Sequence, residues 1–123
     1  MSYQNHIILV GDPHVLDEFS LSLRRAGVAV TSVEKVSAVM AAAEKIKPDA
    51  IVCILPRYWD DITVFVDEFR KKPGFEDTPI LYVGSLVEGE DQRILQQKGV
   101  KTLTLGPLPP QEVVRYILNM LKS

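Results

Sequence analysis

Asp12, Asp60, Asp61, His6, His14 and Cys53 are the side chains of this sequence that first invite a chemical role, as metal ligands, bases or nucleophiles. Asp60 and Asp61 stand side by side, as a metal pair or a phosphate acceptor would. Adjacent acids also suit the first turn of a helix, whose dipole favours negative charge. Asp12-Pro13 has the same ambiguity: a lone carboxylate facing a cation, or a helix N-cap followed by proline at the first helical position. One carboxylate is a poor Mg²⁺ site without partners. His6 and His14 have no cysteine or paired acid at ligand spacing and read as solvated or packing residues. Cys53 lies inside an apolar run and reads as a small buried hydrophobe, not a reactive thiol. No phosphate loop is present, because "VGDPHV" lacks the repeated glycines that let a backbone wrap a pyrophosphate. The acidic "VEGED" (87–91) reads as a solvated loop.

The stretch "PDAIVCILPRYWDD" (48–61) is the most informative. It begins like a buried strand leading to an active site, then places Ile54, Leu55 and Pro56 where a reactive group would stand. Arg57, Tyr58 and Trp59 follow. These are the types that dominate interface hot spots, although Trp59 can equally fold back as a lid over an apolar pocket.

Composition narrows the classes. The chain has 123 residues, 46% hydrophobic and 24% charged, which fits one soluble globular domain spanning 1–123. A net charge of −2 supplies no basic face for nucleic acid. No apolar run approaches the ~20 residues of a membrane span, and the N-terminus has no signal pattern. A cytoplasmic location is expected, with no membrane and no nucleic acid among its partners.

These residues must be positioned by an alternation of short apolar runs and helical patterns. "HIILV" (6–10), "VAVTSV" (28–33), "AIVCIL" (50–55), "PILYVG" (79–84) and "KTLTL" (101–105) read as strands. Leu16, Phe19, Leu23 and Ala26 mark one face of a first helix, ended by Gly27. Val36, Val39, Met40, Ala43 and Ile46 line a second, which Pro48 stops. Asp61 caps a third carrying Ile62, Phe65, Val66 and Phe69. Ile94, Leu95 and Lys98 belong to a fourth, and Val113, Ile117, Met120 and Leu121 to a last one opened by Pro109-Pro110. Strands alternating with helices imply right-handed crossovers and a parallel α/β sheet, doubly wound, with helices on both faces. Ligands of such sheets bind beyond the carboxyl ends of the strands. Any site should lie near 11–13, 54–60, 84–88 and 106–108.

At those places the sequence resembles the receiver domain of bacterial two-component response regulators. "HIILVGD", "KPDAIVCIL", "TPILYVGS" and "KGVKTLTLGPL" carry the likeness, in family order along essentially the whole chain. The resemblance implies a flavodoxin-like five-stranded sheet in order 2-1-3-4-5. It also implies a phosphoacceptor aspartate ending the third strand, served by a histidine kinase. An acidic pair after the first strand shares Mg²⁺ with that aspartate. A Thr/Ser and a Lys contact the phosphoryl oxygens, because phosphoryl transfer depends mainly on charge stabilisation.

Carried across, that set is nearly gone. The phosphoacceptor position falls on Ile54 and the Lys position on Gly106, with Pro107 retained. The Thr/Ser position falls on Gly84, with Ser85 one residue late. The aromatic switch position falls on Leu103, and the acidic pair is reduced to Gly11 and Asp12. The implied protein is a pseudo-receiver: not an enzyme, without cofactor or metal, and a phosphorylation-independent protein-interaction module in bacterial signalling. Its partner surface would be the "RYW" loop or the face of the fourth helix, fifth strand and fifth helix, where a homodimer could also form. Without the hydroxyl and the ring, one dominant conformation is expected. The alternatives are a nucleotide or other small-ligand sensor gripping its ligand with Arg57, Tyr58 and Trp59, a phosphoaccepting regulator with shifted chemistry at Asp12, Asp60 or Asp61, and a fragment of a longer regulator.

Overall fold

The computed structural model of the chain describes residues 5–54, 61–84, 89–104 and 110–122. Its strands are β1 (Asn5–Val10), β2 (Val28–Val33), β3 (Ala50–Ile54), β4 (Ile80–Gly84) and β5 (Val100–Thr104). Between and after them run α1 (Pro13–Arg25), α2 (Val39–Ile46), α3 (Asp61–Lys71), α4 (Gly89–Gln97) and α5 (Pro110–Lys122). A 3-10 turn over Val36–Ala38 leads into α2. Every strand pairing is parallel and the order is β2-β1-β3-β4-β5, as expected.

The central strands are apolar on both faces because both faces are covered. Ile7 and Leu9 of β1 point into a cluster with Leu16, Phe19 and Leu23 of α1 and Val113, Ile117 and Met120 of α5. Ile8 and Val10 point the other way, among Val39, Phe65, Phe69 and Leu95. Phe69 stacks on Phe75 at 4.8 Å between ring centroids, closing this second layer near the amino ends of the strands.

Local chemistry explains the joints. Lys47 adopts a left-handed conformation (φ 54°) at the end of α2, and Pro48 prevents continuation. The Asp49 carboxylate then accepts the His6 N–H at 2.8 Å, while the Asp49 N–H donates to the His6 carbonyl at 2.7 Å. The Lys-Pro-Asp lead-in therefore ends one helix and fixes β3 beside β1. Near the far edge of the sheet, the Arg24 guanidinium donates to the Val30 carbonyl of β2 at 3.2 Å. This satisfies an edge acceptor that another strand could otherwise pair with.

Four sequence expectations need correction. Lys98 is the turn residue that follows α4, its N–H on the Ile94 and Leu95 carbonyls, and not a member of the helix. Ala26 is exposed and caps α1 with its N–H on the Ser22 and Leu23 carbonyls, while Ser20 is buried on the inner face in its stead. Residues 89–91 of the acidic stretch expected as loop form the first turn of α4. Asp61 is the first residue of α3, not the residue before it.

Candidate functional site

Gly11 follows β1 directly, and its N–H donates to the Val33 carbonyl at 3.0 Å, extending the ladder with β2 by one bond. Its φ of +153° is a conformation that side-chain-bearing L-residues rarely adopt. A Cβ placed there would stand 2.5 Å from the Ile54 carbonyl oxygen and 3.3 Å from Leu16 Cδ2. The position that would carry the first acid of the implied pair is thus occupied by a close backbone approach between β1 and β3.

Asp12 is the N-cap of α1. Its Oδ1 accepts the His14 N–H at 2.8 Å, Pro13 opens the helix, and its carbonyl accepts the Val15 and Leu16 N–H groups. The cap satisfies a donor that the first turn otherwise leaves unpaired. His14 is exposed. His6 lies in β1 with its Nε2 2.8 Å from Thr31 Oγ1, at the start of the sheet and away from this edge.

Ile54 ends β3 at 0% exposure and belongs to the buried cluster that holds Leu16, Val83 and Val113. Its neighbour Cys53 faces the opposite layer, and burial pushes its thiol up to about 12. That cysteine is no nucleophile at neutral pH. Gly84 ends β4, buried, and pairs with Thr104. Leu103 pairs with Val83 and is half-buried against the cluster beneath α1 and α5. On the other face of β5, Gln92 of α4 donates to Thr102 Oγ1 at 3.1 Å.

The sheet therefore brings Gly11, Asp12, Ile54, Gly84 and Leu103 to its carboxyl edge. Ser85, Gly106 and Pro107, and the whole Arg57-Tyr58-Trp59 segment with Asp60, lie outside the described residues. Among the described residues, no cluster of three or more His, Cys, Asp or Glu side chains could hold a metal. The set that the described residues place at this edge does not fit the Mg²⁺ that the family resemblance implies: a glycine whose Cβ space is filled, a capping carboxylate and a buried isoleucine.

Sequence reasoning missed a set of bonds that ties α3 to the turn after α4 and to the lead-in of β4. Lys98 Nζ meets Asp67 Oδ1 at 2.7 Å. Arg70 donates to the carbonyls of Phe75, Thr78 and Gly99. Burial lowers the Arg70 pKa, and the charge of Asp77 partly offsets that. Nothing in the spacing of these residues announces carbonyl acceptors, because a backbone oxygen has no sequence signature.

No protein-family model matches the chain, and no curated protein matches its sequence. Solved structures do. Chemotaxis protein CheY4 of Vibrio cholerae superposes with a TM-score of 0.80 at 19% identity, over 94% of this chain and 97% of that one. An orphan response regulator of H. pylori gives 0.82 at 15% identity, over 98% and 99%. The receiver domain of a Pseudomonas aeruginosa sensor histidine kinase, solved with magnesium coordinated in its active-site cleft, gives 0.74 at 23% identity, over 97% and 98%. The chain thus has the fold of response-regulator receiver domains, flavodoxin-like and matched over nearly its full length. No helix among the described residues is long and apolar enough to cross a membrane.

Proposed function

We propose that this chain is a pseudo-receiver: a signalling module of receiver fold that accepts no phosphoryl group and acts by binding a protein partner. The observation that carries the reading is Ile54, fully buried in the cluster below the carboxyl edge. A phosphoryl acceptor needs an oxygen or nitrogen nucleophile with charge stabilisation around it. Ile54 has neither, and in the described part of the pocket the one carboxylate, Asp12, is engaged in capping α1. Magnesium sits in the cleft of the Pseudomonas aeruginosa receiver; the donor set here argues against the same arrangement.

A non-enzymatic, cytoplasmic role in bacterial two-component signalling follows from this reading. Gly84 has no hydroxyl to be drawn toward a phosphate, and Leu103 is already packed inward, so phosphorylation would have no two-state element to bias. Arg57, Tyr58 and Trp59 are the proposed contact residues, by residue type and by their place after β3. The test is partner capture from native-cell extract with the tagged chain, with and without acetyl phosphate and Mg²⁺. Equal recovery in both, lost in Trp59→Ala, supports the module. Recovery that depends on the phosphodonor overturns it.

A further inference from the structure

We infer that the cation position of this fold has been closed by backbone as well as by side-chain loss, so that replacing side chains alone cannot rebuild it. The inference rests on the pseudo-receiver reading but concerns a separate contact, Gly11 against Ile54.

Three elements hold Gly11 in place. Its N–H is bonded to Val33 of β2, and the Ile54 carbonyl of β3 fills the direction in which a Cβ would project. Leu16 Cδ2, at 3.3 Å from that Cβ position, closes the third side. Leu16 cannot retreat easily, since its N–H is bonded to the Asp12 carbonyl at 2.9 Å and its side chain is buried. The neighbour that must give way is backbone: the 2.5 Å approach is to a main-chain oxygen, at the end of a strand paired with both β1 and β4. Any residue other than glycine at position 11 meets this obstacle through its first side-chain atom, whatever its charge. An acid introduced there would have to displace the end of β3 and leave a disfavoured φ before its carboxylate reached a cation.

The experiment compares Gly11→Ala, Gly11→Asp and Gly11→Asp/Ile54→Asp with the unmodified chain, by thermal melting and by Mn²⁺ binding followed through electron paramagnetic resonance. Gly11→Ala should lose on the order of 10 °C in Tm, with Gly11→Asp losing as much or more. No variant should show saturable Mn²⁺ binding in the millimolar range. If the double variant does not fold, Gly11→Ala still decides: a Tm within about 2 °C of the unmodified chain, well inside the effect of a 1 kcal/mol change, overturns the inference. A saturable Mn²⁺ site in the double variant overturns it too, while leaving the functional reading intact if acetyl phosphate still fails to modify the natural chain. Phosphorylation of the natural chain would sink the functional reading without touching the Gly11→Ala result.

Discussion

Replacing Ile54 by aspartate puts a carboxylate at the position where receiver chemistry would require one, and its cost can be worked from the site. Ile54 is 0% exposed. Removing its buried hydrocarbon costs about 2–5 kcal/mol, as for other large-to-small core changes. The carboxylate adds a second term that depends on pH. Burial in an apolar cluster disfavours the charged form, and a pKa raised by ~3 above the ordinary ~3.9 costs about 4 kcal/mol once the group ionises. Because the folded-state pKa is the higher one, this second penalty is absent below about pH 4, grows as pH rises and levels off above about pH 7. Ile54→Asn supplies the control, losing the same packing without acquiring a charge. The two variants should melt together at pH 4 and diverge by roughly 15 °C at pH 7.5, at about 4 °C per kcal/mol for a chain of this length. Differential scanning fluorimetry across pH 4–8, with and without Mg²⁺, measures this. Parallel melting of both variants at every pH would refute the claim that position 54 is buried in an apolar cluster. A Tm of Ile54→Asp raised by Mg²⁺ at pH 7.5 would refute the claim that the site holds no cation.

Other consequences are simpler to measure. Asp12→Ala should lose about 1 kcal/mol in urea unfolding while Asp12→Asn stays near the natural chain; a stability increment from Mg²⁺ that vanishes in Asp12→Asn would instead make Asp12 a ligand. Cys53 should resist iodoacetamide at pH 8 until denaturant is added, because burial holds its thiol at about 12. The same raised value implies stability that falls as pH climbs from the ordinary 9.0 toward 12, since only the unfolded chain then releases that proton readily. Arg70→Met should cost about 2 kcal/mol by orphaning the carbonyls of Phe75, Thr78 and Gly99, with hydrogen exchange rising where α3, β4 and β5 begin or end.

Much of this was legible in the sequence for identifiable reasons. The continuous apolar runs of β1, β3 and β4 report strands covered on both faces, and that pattern survives without knowledge of any contact. That Ile54 lies within a buried strand was legible in the apolar run 50–55, whereas its standing at the phosphoacceptor position is what the family resemblance implies. The capping role of Asp12 could be written only as one of two choices: an aspartate before proline has the same letters whether it caps a helix or faces a cation. The His14 N–H on its Oδ1 decides the geometry. The Gly11–Ile54 approach was invisible, since it joins a glycine, which has no side chain to pattern, to a carbonyl, which every residue has. The bonds from Arg70 of α3 to the Phe75, Thr78 and Gly99 carbonyls were hidden for the same reason. At the α1 terminus, periodicity carried Ala26 one residue too far, because the pattern does not register where the chain turns outward.

The central claim is that this receiver fold carries no phosphoryl chemistry. Intact-mass spectrometry of the purified natural chain after incubation with acetyl phosphate and Mg²⁺ tests it most directly, with a phosphorylatable receiver treated in parallel. The account predicts an unchanged mass for this chain while the control gains its phosphoryl group. A gain of one phosphoryl group, reversed by hydroxylamine as an acyl phosphate would be, contradicts it.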